Sequence, residues 1–527
     1  MKRTLRAALA LALCAPPVRA AEREVHLNHE FAATHNDVTG RGAASSSLTG
    51  GWRYIDTLII NASGKAAGWS YGLNTGIKVT DDLRNDPKTW SLTNAQGRVA
   101  RGAHTVMLGD TFESYSQYAL ATPLKGASYR FGSENPWLPE VTGVYGVAVP
   151  RWDSFWRETG VATVRRQGGG ARVKQALSSD AWVGVSALTA KDLERKNTTD
   201  SLYNAKNLTF DASYNPIPGL TASAEHSVSK SQFSADDSVA YRDSKGLASR
   251  LELVGDGGPS RVALVYENVR PSFYSAFGSA TPDRRKFKGS WRYKPVKRLT
   301  LNSSLLWFRN NLDGRLSGTT KSWKPELSAT LLKPLPSRAF SAVDFAYRFD
   351  RRYGTSQSSS DHYFSAGYRD RVRSVDSNTT LGYTRYRTKA AVRDSDEVLA
   401  NTSLNSRIEA GDYALRPSAQ AGFWYSRDEL AFTTDKMYDY SVGIGFDAPL
   451  ARLTSDVRAG ENTLKKEAGD SSTKTFASAA VYWKPPFPAK YGTHTLFARG
   501  LFNGYAFSTD SRNFRETSVT CGVSTEF

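Results

Sequence analysis

Apolar and polar residues alternate along most of the chain, which is the pattern of β-strands with two unlike faces. From Tyr438 to Phe446, every second residue is apolar or aromatic, and the residues between them are polar or small. Similar alternation runs from Val343 to Phe349 and from Leu299 to Trp307. Because successive side chains in a strand point to opposite faces, each segment has one apolar face and one largely polar face.

These predicted strands are long, and their ends are rich in aromatic residues. They extend over about 11 to 14 residues, which is more than strands of soluble sheets usually have and enough to cross a bilayer with tilt. Trp291, Tyr293, Trp307, Tyr425 and Trp483 all lie near strand ends. Girdles of aromatic residues at both interfaces are typical of transmembrane barrels. The pattern therefore predicts an all-β, antiparallel, up-and-down transmembrane barrel with its apolar face toward lipid.

Turn-forming residues recur along the chain at a nearly regular spacing. They occupy residues 215–219, 255–259, 294–297, 334–336, the stretch around Val372, and residues 409–412, 447–449 and 485–488. The centres lie about 37 to 40 residues apart, which leaves room for two strands between neighbouring turns. This spacing predicts about 26 strands, with 22 as the lower alternative. Continued backward, it places further turns near residues 178–180, 136–138, 95–97 and 62–64.

We expect both termini to be periplasmic, as in other outer-membrane barrels, and the strand count is then even. The turns named above are therefore periplasmic, and the remaining loops face outward. Outer loops such as 351–360 and 508–513 are short, and we expect none to be long enough to fold into the barrel as a large constriction. Residues 102–170 are less regular. We expect this segment to hold either barrel strands or a partial plug.

The last strand carries the most specific motif. Val519, Cys521, Val523 and Phe527 lie on one face, and polar or small residues alternate with them. An alternating strand that ends on Phe resembles the signal by which the outer-membrane assembly machinery recognises its clients. Over its whole mature length the chain resembles porin-like outer-membrane β-barrels. This resemblance implies a location in the outer membrane of a Gram-negative bacterium, in contact with membrane lipids and lipopolysaccharide.

The N-terminal residues have the features of an export signal. Lys2, Arg3 and Arg6 precede a short apolar run, and Val18-Arg19-Ala20 fits a signal peptidase site. We therefore expect residues 1–20 to be a signal peptide and residues 21–527 to form the barrel. Loss of the signal lowers the net charge from +18 to +14. In an exported barrel, this charge favours lipopolysaccharide at the rim or anionic solutes in the lumen over nucleic acid.

Charged residues inside the predicted strands are the best candidates for functional residues. A charge on the lipid face costs roughly 2–4 kcal/mol at the bilayer midplane, so these residues are predicted to face the lumen. They are Arg292, Asp344, Arg348, Arg385, Asp439 and Lys474. The alternative is that they pair across strands and only keep the lumen wet. No motif with catalytic, cofactor-binding or metal-binding spacing is found, and the G-x-S-x-G match at 68–72 lies in an alternating strand instead of a strand–turn–helix.

Two functions remain open at this point. The first is a channel or export conduit for polar solutes or polymers, anions among them. The second is a structural sheath that holds a periplasmic partner, for example a multihaem electron-transfer cytochrome, across the outer membrane. Barrels of that kind resemble this chain in size class and in their short loops, although the chain lacks their frequent N-terminal cysteine motif. We do not expect an enzyme, because no site was found.

Overall fold

The structure is a computed structural model that describes most of the chain. The described residues are 22–84, 86–155, 163–196, 202–234, 242–315, 318–354, 358–389, 393–488 and 492–527. The predicted signal peptide, residues 1–20, lies outside them. No helix within these ranges is long and apolar enough to cross a membrane.

Antiparallel strands make up 74% of the described chain. The first thirteen are β1 (Glu22–Thr39), β2 (Gly51–Ala66), β3 (Trp69–Thr80), β4 (Trp90–Arg101), β5 (His104–Thr111), β6 (Leu124–Phe131), β7 (Glu140–Ala148), β8 (Thr163–Ala176), β9 (Ala181–Lys196), β10 (Leu202–Ile217), β11 (Leu220–Ser234), β12 (Arg242–Asp256) and β13 (Ser260–Val269).

A second set of thirteen strands completes the sheet. They are β14 (Arg284–Val296), β15 (Leu299–Asn310), β16 (Thr320–Leu332), β17 (Ala342–Gly354), β18 (Ser358–Val372), β19 (Val375–Lys389), β20 (Arg393–Ser406, continued by Ile408–Ala410), β21 (Tyr413–Asp428), β22 (Thr433–Ala448), β23 (Leu453–Lys466), β24 (Ser472–Trp483), β25 (Thr493–Phe507) and β26 (Phe514–Glu526). Both parts of β20 pair with β21 across a break at Arg407, so they form one barrel strand.

The sheet closes into a barrel because its first and last strands pair. Each strand is hydrogen-bonded to its neighbours in sequence, and β1 lies antiparallel to β26 with Phe31 opposite Val523. Closure leaves the sheet without an open edge, as a membrane-spanning sheet requires. Within the described ranges the barrel has 26 strands, which confirms the predicted number, and the alternative of 22 is wrong.

The two faces of the wall follow the alternation seen in the sequence. In β17, Phe345 is 57% exposed on the outer face, and its neighbours Asp344 and Ala346 lie on the opposite face. Tyr440 and Val442 in β22 are likewise exposed outward. A continuous apolar exterior around a closed barrel is stable only in lipid, so the polar face is the one that lines the lumen.

The end of the barrel that carries both termini has mostly short turns. Between β10 and β11 only Pro218 and Gly219 intervene, and Gly219 adopts the positive φ of 82° that a tight turn needs. The turns predicted from 136 onward all fall at this end. The two earliest predictions are wrong, because residues 62–64 lie inside β2 and residues 95–97 lie inside β4. The real turns are two-residue hairpins at 67–68 and 102–103, so the hairpins in this part of the barrel depart from the later spacing.

Two loops at the opposite, outer end are longer than the sequence analysis expected. Residues 112–123 connect β5 to β6, and residues 270–283 connect β13 to β14. Both segments pack against the inner face of the wall, so the expectation that no outer loop is long enough to fold into the barrel as a large constriction is wrong. Segment 112–123 lies within the irregular region 102–170, where β5, β6, β7 and the start of β8 form the wall.

Candidate functional site

Five of the six charged residues that the sequence analysis selected lie on the lumen face. Their strand neighbours on either side point outward, as with Trp291 beside Arg292 or Tyr438 beside Asp439, both exposed to the outside. The five residues are Arg292, Asp344, Arg348, Asp439 and Lys474.

Arg385 is the exception, and its predicted lumen orientation is wrong. In β19 it shares a face with Leu381 and Tyr383, which are exposed on the lipid side. It forms ion pairs with Asp396 at 2.5 Å and Asp394 at 3.4 Å, both in β20. This group lies close to the outer end of the barrel, where the cost of an outward charge falls toward zero.

The five lumen residues differ in whether a neighbour neutralises them. Asp344 is 2.9 Å from Arg369 on the next strand, so this pair matches the alternative in which charges neutralise each other. The Arg348 guanidinium instead stacks over the Tyr363 ring at 3.9 Å, and Lys474 lies 5.4 Å from the Tyr505 ring. Neither cation forms an ion pair with a described residue, although the lumen-facing Glu326 lies directly opposite Arg348 in the strand register and offsets part of its charge.

Two further lumen arginines were missed by the sequence analysis. Arg458 donates hydrogen bonds to the Ser441 hydroxyl at 2.7 Å and to the Gln420 side-chain oxygen at 2.8 Å. Arg499 donates to the Tyr482 hydroxyl at 3.1 Å. All three partners are uncharged, so these hydrogen bonds do not neutralise either arginine. Strand alternation, which places both residues on the polar face, was the signal that could have found them.

Near the periplasmic end, arginines and aspartates line a recess of about 610 Å³ on the wall. Arg416 lies 3.1 Å from Asp447 and 3.2 Å from Asp456, and Arg371 pairs with Asp376. These two cations form ion pairs with carboxylates, whereas Arg348 and Arg458 form none with a described residue. The recess therefore adds polarity to the lumen entrance but contributes less net charge.

The two inserted segments contact each other directly. The backbone N–H of Ala121 donates to the Phe277 carbonyl at 2.8 Å, and Ser279 N–H donates to the Gln117 carbonyl at 2.9 Å. The Tyr118 and Phe273 rings meet edge to face with centroids 5.8 Å apart. The segments thus form one unit, which we call the inner latch (residues 112–123 and 270–283).

Inward side chains of the wall bind this inner latch through specific polar contacts. Tyr118 N–H donates to the Glu225 carboxylate at 2.7 Å, and the Tyr118 hydroxyl donates to the Ser249 carbonyl at 3.3 Å. Asn207 donates its side-chain amide to the Tyr274 carbonyl at 2.9 Å. Tyr118 is fully buried, and this burial raises the pKa of its hydroxyl above the ordinary value.

Apolar contacts complete the docking of the inner latch. Phe273 and Phe277 are each 1% exposed, and Phe277 packs with Val144 and Leu188 from the wall. Gly246 lies under Phe273, where a Cβ would come within 2.2 Å of the Phe273 N and Cα atoms. Glycine is therefore required at this point of the wall for the segment to approach so closely. The latch covers the inner face of roughly β7 to β13 and leaves the remaining wall uncovered.

A buried ion-pair cluster fixes the outer ends of β3 and β4. Asp86 accepts hydrogen bonds from Arg151 and the Ser91 hydroxyl, both at 2.8 Å, and lies 3.2 Å from the Lys78 ammonium. Burial alone would raise the pKa of Asp86, but hydrogen bonds from Ser91, Lys88 N–H and Arg151 outweigh it and lower that pKa to about 2. Asp86 is therefore ionised at any physiological pH, and the cluster ties the loop at Arg151 to the rim.

Comparison with known proteins finds similarity only at the level of barrel architecture. No protein-family model matches the chain, and no curated protein matches it. Among solved structures, a chain of the E. coli P pilus tip assembly intermediate PapC-PapD-PapK-PapG aligns with TM-score 0.47 and 11% identity. The alignment covers 97% of this chain but spans only 62% of that one.

Two further solved structures align less closely. Acinetobacter baumannii OccAB4 has TM-score 0.31 and 9% identity, with 97% of this chain and all of that chain covered. Pseudomonas aeruginosa OccK5 (OpdH) has TM-score 0.35 and 11% identity, with 70% of this chain and 99% of that chain covered. Independently of these alignments, the closed wall and the apolar exterior identify the protein as a large porin-like β-barrel of the outer membrane.

Proposed function

We propose that the protein is a passive outer-membrane channel for polar solutes, with a preference for anions. The observation that carries this proposal is a set of lumen cations that have no described carboxylate at ion-pair distance. Among the described residues, these cations form no ion pair; they are Arg348, Arg458, Lys474 and Arg499. All of them belong to the part of the wall that the inner latch leaves uncovered.

Because these cations lie inside a narrow pore, they can select between anions and cations. Low-dielectric walls focus the field of fixed charges into the lumen and raise the local concentration of counter-ions. Lumen arginines and lysines therefore favour entry of anions and disfavour cations. Inward carboxylates such as Asp439 offset part of this charge, so we expect a preference and not an exclusion of cations.

The inner latch favours the channel over the structural sheath. A sheath needs an empty lumen that a periplasmic partner can fill, whereas here the chain's own segments occupy the inner face of roughly β7 to β13. The latch also makes the pore narrower than 26 strands alone would allow. We therefore expect a conductance below that of an empty barrel of this size.

Ion selectivity in planar bilayers tests the proposal. The reversal potential in a KCl gradient should show chloride preference for the wild type, and Arg348→Glu and Arg458→Glu should each lower the chloride-to-potassium permeability ratio by about twofold or more. Arg351→Glu is the matched control, because Arg351 lies on the same strand as Arg348 but on the outer face.

Three results would count against this proposal or against part of it. Equal effects of Arg348→Glu and Arg351→Glu would show that the lumen charges do not set selectivity. Cation preference in the wild type would refute the anion preference while leaving a channel. A purified protein that does not conduct alone, and that co-purifies with a periplasmic protein, would support the sheath instead.

A further inference from the structure

A continuous groove runs along the lumen wall on the side opposite the inner latch. Three recesses adjoin there, with volumes of about 340, 610 and 350 Å³. The first and second share Arg371, Asp376 and Asn405, and the second and third share Asp456. The latch covers roughly β7 to β13, whereas these recesses lie on β18 to β26. We call the three recesses together the wall groove.

The wall groove follows one hydrogen-bonded row of the sheet. From Arg371 to Ser518, each residue of this row lies directly opposite the next one on the neighbouring strand. Neighbouring strands lie about 4.8 Å apart, so the row from β18 to β26 is about 38 Å long. Its inward residues are Arg371, Asp376, Asn405, Ser418, Gly443, Arg458, Ser478, Leu501 and Ser518.

This row climbs from the periplasmic rim to the middle of the wall. Arg371 is next to the last residue of β18, and Asp376 is the second residue of β19, both at the periplasmic end. Ser418 is the sixth residue of β21, and Leu501 is the ninth of the fifteen residues of β25. Strands of a barrel are tilted by roughly 35–45°, so a row perpendicular to them winds around the wall as it rises. The wall groove is therefore an extended path that starts at the periplasmic entrance.

Cations line the wall groove at intervals, and their surroundings change along it. At the lower end, Arg371 forms an ion pair with Asp376. Higher up, Arg458 and Arg499 donate to uncharged side chains, and no described carboxylate lies at ion-pair distance from them. The Arg499 guanidinium also lies 4.6 Å from the Phe497 ring, which helps to fix its position. The remaining N–H groups of these two arginines can bind carboxylate groups of a ligand.

Between the cations, the wall groove presents groups that match hydroxyls. Asp456 is 54% exposed and lies 3.2 Å from Arg416, so its carboxylate keeps lone pairs that accept hydrogen bonds from ligand hydroxyls. Leu501 is 40% exposed and offers an apolar contact to the C–H face of a sugar ring. The uncharged polar side chains of the groove are Ser374, Asn378, Asn405, Ser406, Ser418, Ser478, Ser518 and Thr520.

We propose that the wall groove binds a linear acidic polysaccharide, whose carboxylates contact Arg458 and Arg499 and whose hydroxyls contact Asp456 and the uncharged polar side chains. This proposal rests on the channel function proposed above and names the class of its cargo. A densely charged polymer such as polyphosphate fits less well, because Asp376 and Asp456 repel closely spaced negative charges. An extended peptide finds no backbone partners, because the closed barrel has no free strand edge.

Block of single-channel current by defined oligomers tests this proposal on the full-length protein in planar bilayers. The probes are linear galacturonate oligomers of one, three and six units, the neutral sugar maltohexaose and the peptide hexaglutamate. We expect the galacturonate hexamer to block the wild type with a dissociation constant about tenfold or more below that of the monomer, because contacts along the groove act together. Maltohexaose lacks the carboxylates and hexaglutamate lacks the hydroxyls, so each should bind about tenfold more weakly than the hexamer.

Two groove variants and one matched control separate the outcomes. Arg458→Gln/Arg499→Gln removes the two upper cations and should weaken block by the hexamer about tenfold or more. Ser478→Trp keeps every charge but fills the upper recess with a ring, and it should weaken the block as well. Arg348→Gln/Lys474→Gln removes the same charge from the lumen outside the groove. This control should lower the chloride preference and still be blocked by the hexamer as the wild type is.

The proposal is overturned if monomer and hexamer bind equally, or if the control loses the block as far as the groove variants do. Equal binding of hexaglutamate or of maltohexaose would also overturn it, because the site would then recognise only carboxylates or only sugars. If one groove variant fails to form a heat-modifiable barrel, the other decides.

Failure of this proposal is distinguishable from failure of the channel function. A wild type that conducts with chloride preference but is not blocked by the hexamer overturns the polysaccharide site and leaves the channel. A wild type that does not conduct contradicts the channel, and calorimetric titration of the detergent-solubilised protein with the same hexamer then decides whether the wall groove binds it.

Discussion

Gly246→Val should release the inner latch from the wall and widen the pore. The added Cβ would lie within 2.2 Å of the Phe273 N and Cα atoms, far inside van der Waals contact, and these are backbone atoms that cannot rotate away. Overpacking of a well-packed site costs about 1–3 kcal/mol, and a backbone clash belongs at the upper end of that range. At 1.4 kcal/mol for each factor of ten, a cost of about 3 kcal/mol shifts the docked-to-released equilibrium more than a hundredfold.

Single-channel recording and limited proteolysis measure this release. The variant should have a larger and noisier conductance than the wild type. Proteases added on the outer side should cleave the variant within residues 270–283. In the wild type this segment is docked, and its Phe273 is only 1% exposed. Gly143→Ala is the control, since its added Cβ meets nothing within 4 Å. Unchanged conductance together with unchanged protease resistance would refute the idea that this glycine permits docking.

Three further predictions concern the wall, its final strand and its rim. Phe345→Arg should destabilise the barrel by roughly 2–4 kcal/mol in refolding titrations because it places a charge in lipid, whereas Ala346→Arg, one residue away on the lumen face, should cost less; equal costs would mean that the assigned faces are wrong. Deletion of Phe527, whose backbone exchanges two hydrogen bonds with Leu27, should lower outer-membrane levels of the heat-modifiable barrel without blocking export across the inner membrane, and normal levels would remove the terminal residue from the assembly signal. Because the folded pKa of Asp86 is about 2, below its unfolded value near 4, its ion pairs should stabilise the rim fully above pH 4 and lose that effect as the pH falls through 2. Hydrogen exchange at residues 86–92 should show this loss in the wild type, and Asp86→Asn should abolish the pH dependence; a wild type that loosens already near pH 5 would contradict the assigned pKa.

The strands and the orientation of their faces were predictable because the signal is local. Side chains alternate between the two faces of a strand with a period of two residues. Asp344, Arg348 and Asp439 could therefore be assigned to the lumen from their immediate neighbours alone. Arg385 obeys the same alternation but belongs to the outward set with Leu381 and Tyr383. The prediction failed there because it used the midplane cost of a charge at a position near the rim, where that cost is small.

The sequence pattern allowed a partial plug within residues 102–170, which include one half of the inner latch, but it predicted neither the contacts of the latch nor its second half at 270–283. Tyr118 and Phe277 lie in loops, and nothing near them in sequence shows that their rings are buried. Their burial depends on wall residues such as Glu225 and Gly246, which are more than a hundred positions away from Tyr118. In the sequence, Gly246 is an ordinary lumen-facing glycine. Its role becomes visible only in the structure, where the Phe273 backbone packs against it.

The contact between the two halves of the latch also implies an order of folding, in which strands β6 to β13 pair before the latch docks. The Thr122 hydroxyl donates to the Phe277 carbonyl across 155 positions of sequence, and strands β6 to β13 lie between them. Loop closure over that distance is entropically costly unless the intervening strands have already paired and brought the ends together. The latch is therefore a late native contact, and its docking marks a barrel whose β6 to β13 hairpins are complete and in register. A slip of β10 or of β11 by one residue would turn Asn207 or Glu225, respectively, toward lipid, and the latch would lose the contact that this residue makes.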